Sequence, residues 1–277
     1  MFKRIDLHTH SDCSDGVLSP AALAGLAALR GVELLALTDH DSVAGCEAAR
    51  AACASARVRF IAGIELSCQW REREIHIVGL GLDVADVGLR EHCAAVGTQR
   101  RERTEAITQR LARAGLPGPA LAQIALAAPV PTRMHLARAL VSLGIADSPQ
   151  QGFDRWLNRG RPGYVAAQWP LLEAALRCIR GAGGIAVLAH PHRYRLSNGS
   201  LRELAAQFKA AGGEGIEVSL PGMAAADADR AASLARRFGL AGSVGSDFHE
   251  PDLPWRPLGR FAKLPDLITP IAARLEP

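Results

Sequence analysis

Near its N-terminus the chain reads Ile5-Asp6-Leu7-His8-Thr9-His10-Ser11-Asp12-Cys13-Ser14-Asp15-Gly16. Ile5 and Leu7 alternate with Asp6, His8 and His10, the two-residue period of a strand, so both imidazoles project from one face. Two imidazoles side by side can grip one metal ion. The small polar residues after His10 end in Asp15-Gly16, a turn that can fold a carboxylate back over the same place. A lone His-x-His is equally compatible with two hydrogen-bonded histidines on a buried strand. Here, however, donors of the same kind recur down the chain as His40, Glu65, His76, His190, Asp247 and His249.

Imidazole and carboxylate without thiolate suit zinc, manganese or iron better than copper(I) or an iron–sulfur cluster. One zinc ion takes four ligands, and a catalytic one keeps a position for water. Nine candidates therefore point to two or three ions that share a carboxylate.

The elements that must position these donors follow a strand–helix alternation. Ser19 is a good N-cap and Pro20 suits the first turn of an Ala/Leu-rich helix that runs to about Arg30, where Gly31 stops it. The apolar run 33–38 reads as a buried strand delivering Asp39-His40-Asp41. An Ala-rich helix over about 43–56, a strand from Val58 to Gly63 ending at Glu65, and a strand from Ile75 to Leu80 carrying His76 come next. Gln69 to Glu74 looks like a polar hairpin tip.

From about Val84 the alternation gives way to a charged helical stretch, including Gln99 to Arg103. Gly115-Leu116-Pro117-Gly118-Pro119 stops it, and Thr132 can cap a further helix. Gly160 to Tyr164 is a basic loop. After a helix over about 171–180, the strand Gly184–Ala189 ends in His190-Pro191-His192-Arg193. Then come a helix over about 201–211, a strand at 215–218, a helix over about 224–238, and a strand at 240–245 that leads into Ser246-Asp247-Phe248-His249. About seven strands in βα order argue for a parallel sheet closed or nearly closed into a TIM-like barrel, with chemistry at the C-terminal strand ends. The expected organisation is a barrel from residues 1–83 and 168–277, with 84–167 inserted as a small helical domain that caps the substrate.

Composition narrows the class. The chain has 277 residues, of which 48% are hydrophobic, ample for a core. Thirty-two Lys and Arg against 28 Asp and Glu give +4, which suits an anionic substrate without implying a long duplex nucleic acid. The six cysteines, Cys13, Cys46, Cys53, Cys68, Cys93 and Cys178, form no Cys-x-x-Cys pair and read as reduced thiols. With no apolar leader and no membrane-length apolar run, a cytoplasmic protein is expected, with no membrane association and no obligatory protein partner.

The segments Asp6-Leu7-His8-Thr9-His10, Leu37-Thr38-Asp39-His40-Asp41, Gly63-Ile64-Glu65, His76-Ile77-Val78-Gly79, Ala189-His190-Pro191 and Gly245-Ser246-Asp247-Phe248-His249 resemble the successive motifs of the PHP (polymerase and histidinol phosphatase) superfamily. That resemblance implies a distorted (β/α)7 barrel, a trinuclear metal site and phosphoester hydrolysis. It implies one ion on His8, His10, Glu65 and Asp247, a second on Glu65, His76 and His190, and a third on Asp15, His40 and His249. Manganese is the expected metal, with zinc or iron(II) as alternatives. A metal-bound hydroxide held by Glu65, Asp247 and His190 is the implied nucleophile.

Within the superfamily, the early helical insertion followed by Arg133-Met134-His135, Gly163-Tyr164-Val165 and His190-Pro191-His192-Arg193-Tyr194 most resembles the small stand-alone branch. That branch contains 3′,5′-nucleoside bisphosphate phosphatases and 5′-to-3′ exonucleases of short RNA. His192 departs from a position often small in this branch, so no catalytic role is carried onto it. The expected reaction is removal of the 3′-phosphate from a nucleoside 3′,5′-bisphosphate. The alternatives are exonuclease action on short 5′-phosphorylated RNA and, further off, histidinol phosphate hydrolysis.

Arg133, His135, Arg161 and Arg193 are candidates for holding a second phosphate, each set against a solvated surface role. Tyr164 or Trp169 could stack on a base or belong to the core. Asp6 and Asp39 read as groups that orient histidines or accept hydrogen bonds at strand ends. A non-catalytic binding module should have lost ligands, and all nine positions keep His, Asp or Glu. An amidohydrolase would need a bridging lysine near the middle strands, and none is present there.

Overall fold

The computed structural model describes residues 4–251, 256–265 and 267–275. Seven strands form one sheet in sequence order: β1 (Ile5–Asp6), β2 (Leu34–Leu37), β3 (Arg59–Trp70), β4 (Arg73–Leu80), β5 (Ile185–Leu188), β6 (Gly215–Ser219) and β7 (Ala241–Val244). The first and last strands are stitched together just beyond their ends. Leu7 N–H donates to the Val244 carbonyl at 3.2 Å, Asp247 N–H to His8 at 2.8 Å, and His10 N–H to Phe248 at 2.9 Å. The sheet is thus a nearly closed, distorted barrel.

One strand departs from the expected parallel order. β4 runs antiparallel to both β3 and β5, while the other neighbouring pairs are parallel. The physical reason is the two-residue connection at Arg71 and Glu72, too short for a crossover and long enough only for a hairpin. The same hairpin makes β3 twelve residues long, so Glu65 lies within the strand rather than at its end. Because β4 is reversed, its beginning lies on the rim where the other strands finish, and this places His76 beside Glu65.

Strand alternation sorts the core. On β2, Leu34 and Ala36 pack inside the barrel with Leu7, Ile61, Val78 and Val187, while Leu35 and Leu37 face helices α1 (Pro20–Leu29) and α2 (Cys46–Ser55). Glu65 has the parity of Ile61 and His76 that of Val78, so both share the interior-facing side. α1 begins as expected, with the Ser19 hydroxyl accepting from Ala22 N–H. On the opposite side α7 (Leu172–Gly181), α8 (Asn198–Ala210) and α9 (Ala225–Phe238) cover the sheet through Leu176, Ile179, Leu204, Phe208 and Ala235.

Between β4 and β5 lie α3 (Val87–Arg113), α4 (Gly118–Leu126), α5 (Arg133–Ser142), α6 (Pro149–Gly152) and a π-helical turn at Phe153–Leu157. They have a hydrophobic cluster of their own, including Leu111, Leu121, Leu136, Leu140 and Leu157. α3 reaches both bodies: Leu89 near its start packs with the barrel-side core and Leu111 near its end with the helical cluster. All six cysteines are free.

Candidate metal centre and anion-binding cavity

Glu65 is the pivot of the site. Its Oε2 lies 3.3 Å from His8 Nε2, 3.3 Å from His10 Nε2 and 3.0 Å from His40 Nδ1, and its Oε1 lies 2.9 Å from His76 Nδ1 and 2.8 Å from His190 Nε2. Asp247 Oδ1 faces the same pair from the other side, 3.4 Å from His8 Nε2 and 3.2 Å from His10 Nε2. Asp15, brought back by the turn at 11–16, sets its Oδ1 3.2 Å from His249 Nε2 and 3.8 Å from His40 Nε2. Gly16 permits that turn, since a Cβ there would stand 2.4 Å from the His10 carbonyl oxygen.

All nine candidate donors therefore meet at one rim. Three sets of donor atoms lie within 4.8 Å of one another: His8, His10, Glu65 and Asp247; His10, Asp15, His40 and His249; and His40, Glu65 and His76. The first coincides with the set implied by the resemblance. The second is the third implied set with His10 added. His190 joins none of these sets and instead meets Glu65 through the contact given above.

Buried donors without hydrogen-bond geometry test whether a cation suits the place. His8 Nε2, His10 Nε2, Asp15 Oδ1, His40 Nδ1 and Glu65 Oε2 are buried and unsatisfied. Orphaned lone pairs of this kind are costly unless a cation collects them. The donor set fits divalent metal ions.

The charges support the same reading. Burial alone would raise the Glu65 carboxyl, yet the imidazoles of His40, His8 and His76 hold it well below the usual range. Asp15 is held down against its burial by His40 and His249, and Asp247 by Arg193 and His8. Without a metal, His10 and His76 outweigh their own burial through the facing carboxylates and rise to about 9 and about 10. Burial depresses His190 to about 4 and takes His40 well down. The carboxylates are thus held anionic where a cation would sit.

Above the donors opens a cavity of about 340 Å³. Its lining includes five arginines, Arg100, Arg103, Arg133, Arg193 and Arg256, together with Phe153 and Met134. Arg193 pairs with Asp247 Oδ2, and Arg256 lies 3.3 Å from the same oxygen. On the opposite wall Glu74 stands 3.5 Å from Arg133 and 3.7 Å from Arg103. Phe153, from the π-helical turn, carries the Arg133 guanidinium 6.0 Å from its ring centre.

The other expected substrate contacts lie elsewhere. His135 turns back to cap its own helix, its Nδ1 accepting from Thr132 N–H at 3.0 Å. Thr132 then donates to Asp15 Oδ2 at 3.0 Å, so the helix start is tied to the metal-type cluster. Arg161 and Tyr164 occupy one turn, closed by Tyr164 N–H to the Arg161 carbonyl, and neither lines the cavity; nor does His192. Trp169 is buried with the Arg100 and Arg103 guanidiniums 4.9 and 5.3 Å from its ring, which leaves no face for a base. Asp39 accepts from Ser11 N–H, Ser11 Oγ and Ser14 Oγ, and Asp6 from the backbones of Ser246 and Gly259. Both hold loops, not imidazoles.

Several groups escape a sequence reading, among them the cavity arginines Arg103 and Arg256. Arg100 on α3 donates from Nε to Asp41 Oδ2 at 2.8 Å and from a terminal nitrogen to Ser67 Oγ at 2.8 Å; within a run of arginines nothing marks it as the buried one. Phe153 is 19 residues beyond its nearest cavity neighbour in sequence, Met134, so only packing unites them. Glu217 lies behind the histidines, and its sole signal is a single acidic residue inside the apolar strand Gly-Ile-Glu-Val-Ser.

Residues 6–106 match the PHP domain. The chain is 40% identical over 98% of its length to a protein from Haemophilus influenzae named 5′-3′ exoribonuclease, covering 98% of that protein. It is also 40% identical over 98% of its length to a 3′,5′-nucleoside bisphosphate phosphatase from Chromobacterium violaceum, covering 96% of it. The chain belongs to the PHP family. A Chromobacterium violaceum structure, described as an amidohydrolase with bound sulfate, superposes with a TM-score of 0.93 at 39% identity, covering 98% of this chain and 95% of that one. A structure from Bifidobacterium adolescentis, described as that of a metal-dependent phosphoesterase by assignment, superposes with a TM-score of 0.82 at 25% identity, covering 98% and 93%. The lysine that an amidohydrolase would use as a metal bridge has no counterpart among the residues lining this cavity.

Proposed function

We propose that the chain is a metal-dependent phosphoric ester hydrolase that removes the 3′-phosphate of nucleoside 3′,5′-bisphosphates, giving the 5′-monophosphate and inorganic phosphate. The observation that carries this is the meeting of nine metal-type donors at one rim with a nucleotide-sized cavity that seven of them line together with five arginines. In this reading His8, His10, Glu65 and Asp247 hold one ion, Glu65, His76 and His190 a second, and Asp15, His40 and His249 a third. Manganese is the metal proposed, with zinc or iron(II) able to substitute. Bound there, such ions supply Lewis acidity at the phosphoryl oxygens and bring the acidity of water toward neutral pH.

The chain's own groups do the rest. Arg193 and Arg256 lie at the Asp247 edge of the donors, where guanidiniums can hold oxygens of the 3′-phosphoryl group and offset charge as water attacks in line. Oxygen from water bonds to phosphorus, the P–O3′ bond breaks, and the 3′-oxygen leaves with a proton. Across the cavity Arg133 and Arg103 form the second anion position, for the 5′-phosphate, while Phe153 and Met134 offer an apolar surface to the base. Residues 84–167 act as the cap that brings Arg100, Arg103, Arg133 and Phe153 over the barrel. No helix of the described residues is long and apolar enough to cross a membrane; the compartment proposed is the cytoplasm and the substrate a small nucleotide or short oligonucleotide.

The second reading is a 5′-3′ exonuclease on short RNA, favoured by the names of relatives from Haemophilus influenzae and Escherichia coli, the latter 41% identical over 94% of this chain. In that case the same second anion position would take the terminal 5′-phosphate. The deciding experiment loads the protein with manganese and follows phosphate and nucleotide release from adenosine 3′,5′-bisphosphate, a 5′-phosphorylated RNA trinucleotide and histidinol phosphate. Faster cleavage of the bisphosphate supports the phosphatase; mononucleotides from RNA at an equal or higher rate replace it with the exonuclease. Turnover of histidinol phosphate alone would overturn both.

A further inference from the structure

Glu217 is a fully buried carboxylate on β6 that stands behind the donor cluster and does not line the cavity. Its Oε1 lies 2.8 Å from His8 Nδ1, and its Oε2 accepts from the backbone N–H of His190 at 2.5 Å. We propose that Glu217 is a positioning residue that fixes two metal-ligating histidines at once, one through its ring and the other through its backbone. The proposal rests on the metal-site reading above.

A ring whose Nδ1–H is donated to a carboxylate keeps its Nε2 lone pair free for a cation. His8 Nε2 is that orphan: it points at Glu65 Oε2 and Asp247 Oδ1, 3.3 and 3.4 Å away, without a hydrogen bond to either. Nor can the ring step back. A Cβ on Gly245 would stand 2.3 Å from His8 Cβ, so the chain at 245 is closed against this side chain.

His190 has φ 25° and ψ 59°, a left-handed conformation that a non-glycine residue holds only when its surroundings enforce it. The bond from its N–H to Glu217 is such an enforcement. It turns the chain at the end of β5 so that Nε2 of His190 reaches Glu65 at 2.8 Å.

Both partners of Glu217 are donors, so both of its oxygens must be acceptors. A glutamine of the same shape offers one oxygen and one NH₂. If the oxygen stays on His190, the NH₂ meets His8 Nδ1 and drives the ring to the tautomer with its proton on Nε2, where the metal would bind. If the oxygen stays on His8, the His190 N–H is left facing a donor and the strained turn loses its tie. Neither arrangement keeps both histidines.

The test titrates metal-stripped wild type and Glu217→Gln with Mn²⁺ by calorimetry, reading affinity and stoichiometry rather than turnover. Near-UV circular dichroism and metal-free unfolding temperature establish that the variant is folded. The expected result is a loss of about 10- to 100-fold in Mn²⁺ affinity, or of one bound ion, relative to wild type. A folded variant with unchanged affinity and stoichiometry overturns the proposal, and wild type that binds no divalent ion overturns the metal site itself. Should the variant not fold, ¹⁵N spectra of the zinc-loaded wild type decide. A His8 proton on Nδ1 is expected, and a proton on Nε2 refutes the role.

Discussion

The sharpest prediction concerns Arg100, which lines the cavity but reads here as the bolt between α3 and the barrel rather than a substrate contact. Its side chain is 6% exposed, its Nε and a terminal nitrogen meet Asp41 Oδ2 at 2.8 and 2.6 Å, and Trp169 flanks the guanidinium. Asp41 is 0% exposed at its side chain, and its other oxygen already accepts from Ser67 N–H at 2.7 Å. Replacing Arg100 by Met keeps length and packing but leaves a buried carboxylate without its cation. Breaking one side of a buried pair costs about 3–5 kcal/mol. For a domain of this size each kcal/mol moves the midpoint by roughly 2–4 °C, so a fall of about 6–20 °C is expected.

Thermal unfolding in EDTA isolates that effect from any metal contribution. The double variant Arg100→Met/Asp41→Asn should recover at least about 1.5 kcal/mol relative to the sum of the single changes. A neutral amide no longer needs a cation, and residues in direct contact couple by about 0.5–3 kcal/mol. Asn also tolerates the φ of 46° at position 41. A loss below about 1 kcal/mol in Arg100→Met, or strictly additive variants, would refute the reasoning.

Other perturbations test the site itself. Glu65→Ala or Asp247→Ala should lower turnover of the preferred phosphoester by roughly 100-fold or more while far-UV circular dichroism is unchanged, since each removes an anion facing several histidines; unimpaired turnover in either would remove the trinuclear reading. Arg133→Met should raise KM for the bisphosphate more than it lowers kcat, because it binds away from the reacting phosphate. Gly245→Ala should impair metal binding and stability together, measured by Mn²⁺ calorimetry and melting, as its Cβ would press on His8 at 2.3 Å. In the metal-free protein His10 and His76 are raised from 6.5 to about 9 and about 10. Groups raised in the folded state stabilise it fully below pH 6.5 and lose that contribution as pH climbs through their folded values. The EDTA-treated protein should therefore melt at a lower temperature at pH 10 than at pH 7, and manganese should abolish most of that fall because the ions replace the protons.

Much of this protein was legible in residue order alone. His8 and His10 announce themselves by their spacing, and the strand–turn signals place His40, His190 and Asp247 at strand ends because strand period and turn chemistry are local properties. Thr132 as a helix cap and Ser19 with Pro20 at a helix start were equally local. What the residue order did not contain was distance; the direction of β4 was present in the hairpin signal at 69–74 but outweighed by the βα rhythm. The reversal of β4 follows from a tight hairpin, and only that reversal carries His76 back to the rim beside Glu65. Arg161 and Tyr164 have the right chemistry for a nucleotide, yet neither lines the cavity, whereas Phe153 and Arg256 reach it from segments with no motif. Arg100 and Glu217 are the clearest cases. Each is an unremarkable charge in the string of letters, and each acquires its role when folding removes water from it and leaves Asp41, or His8 and His190, as the partners that burial demands.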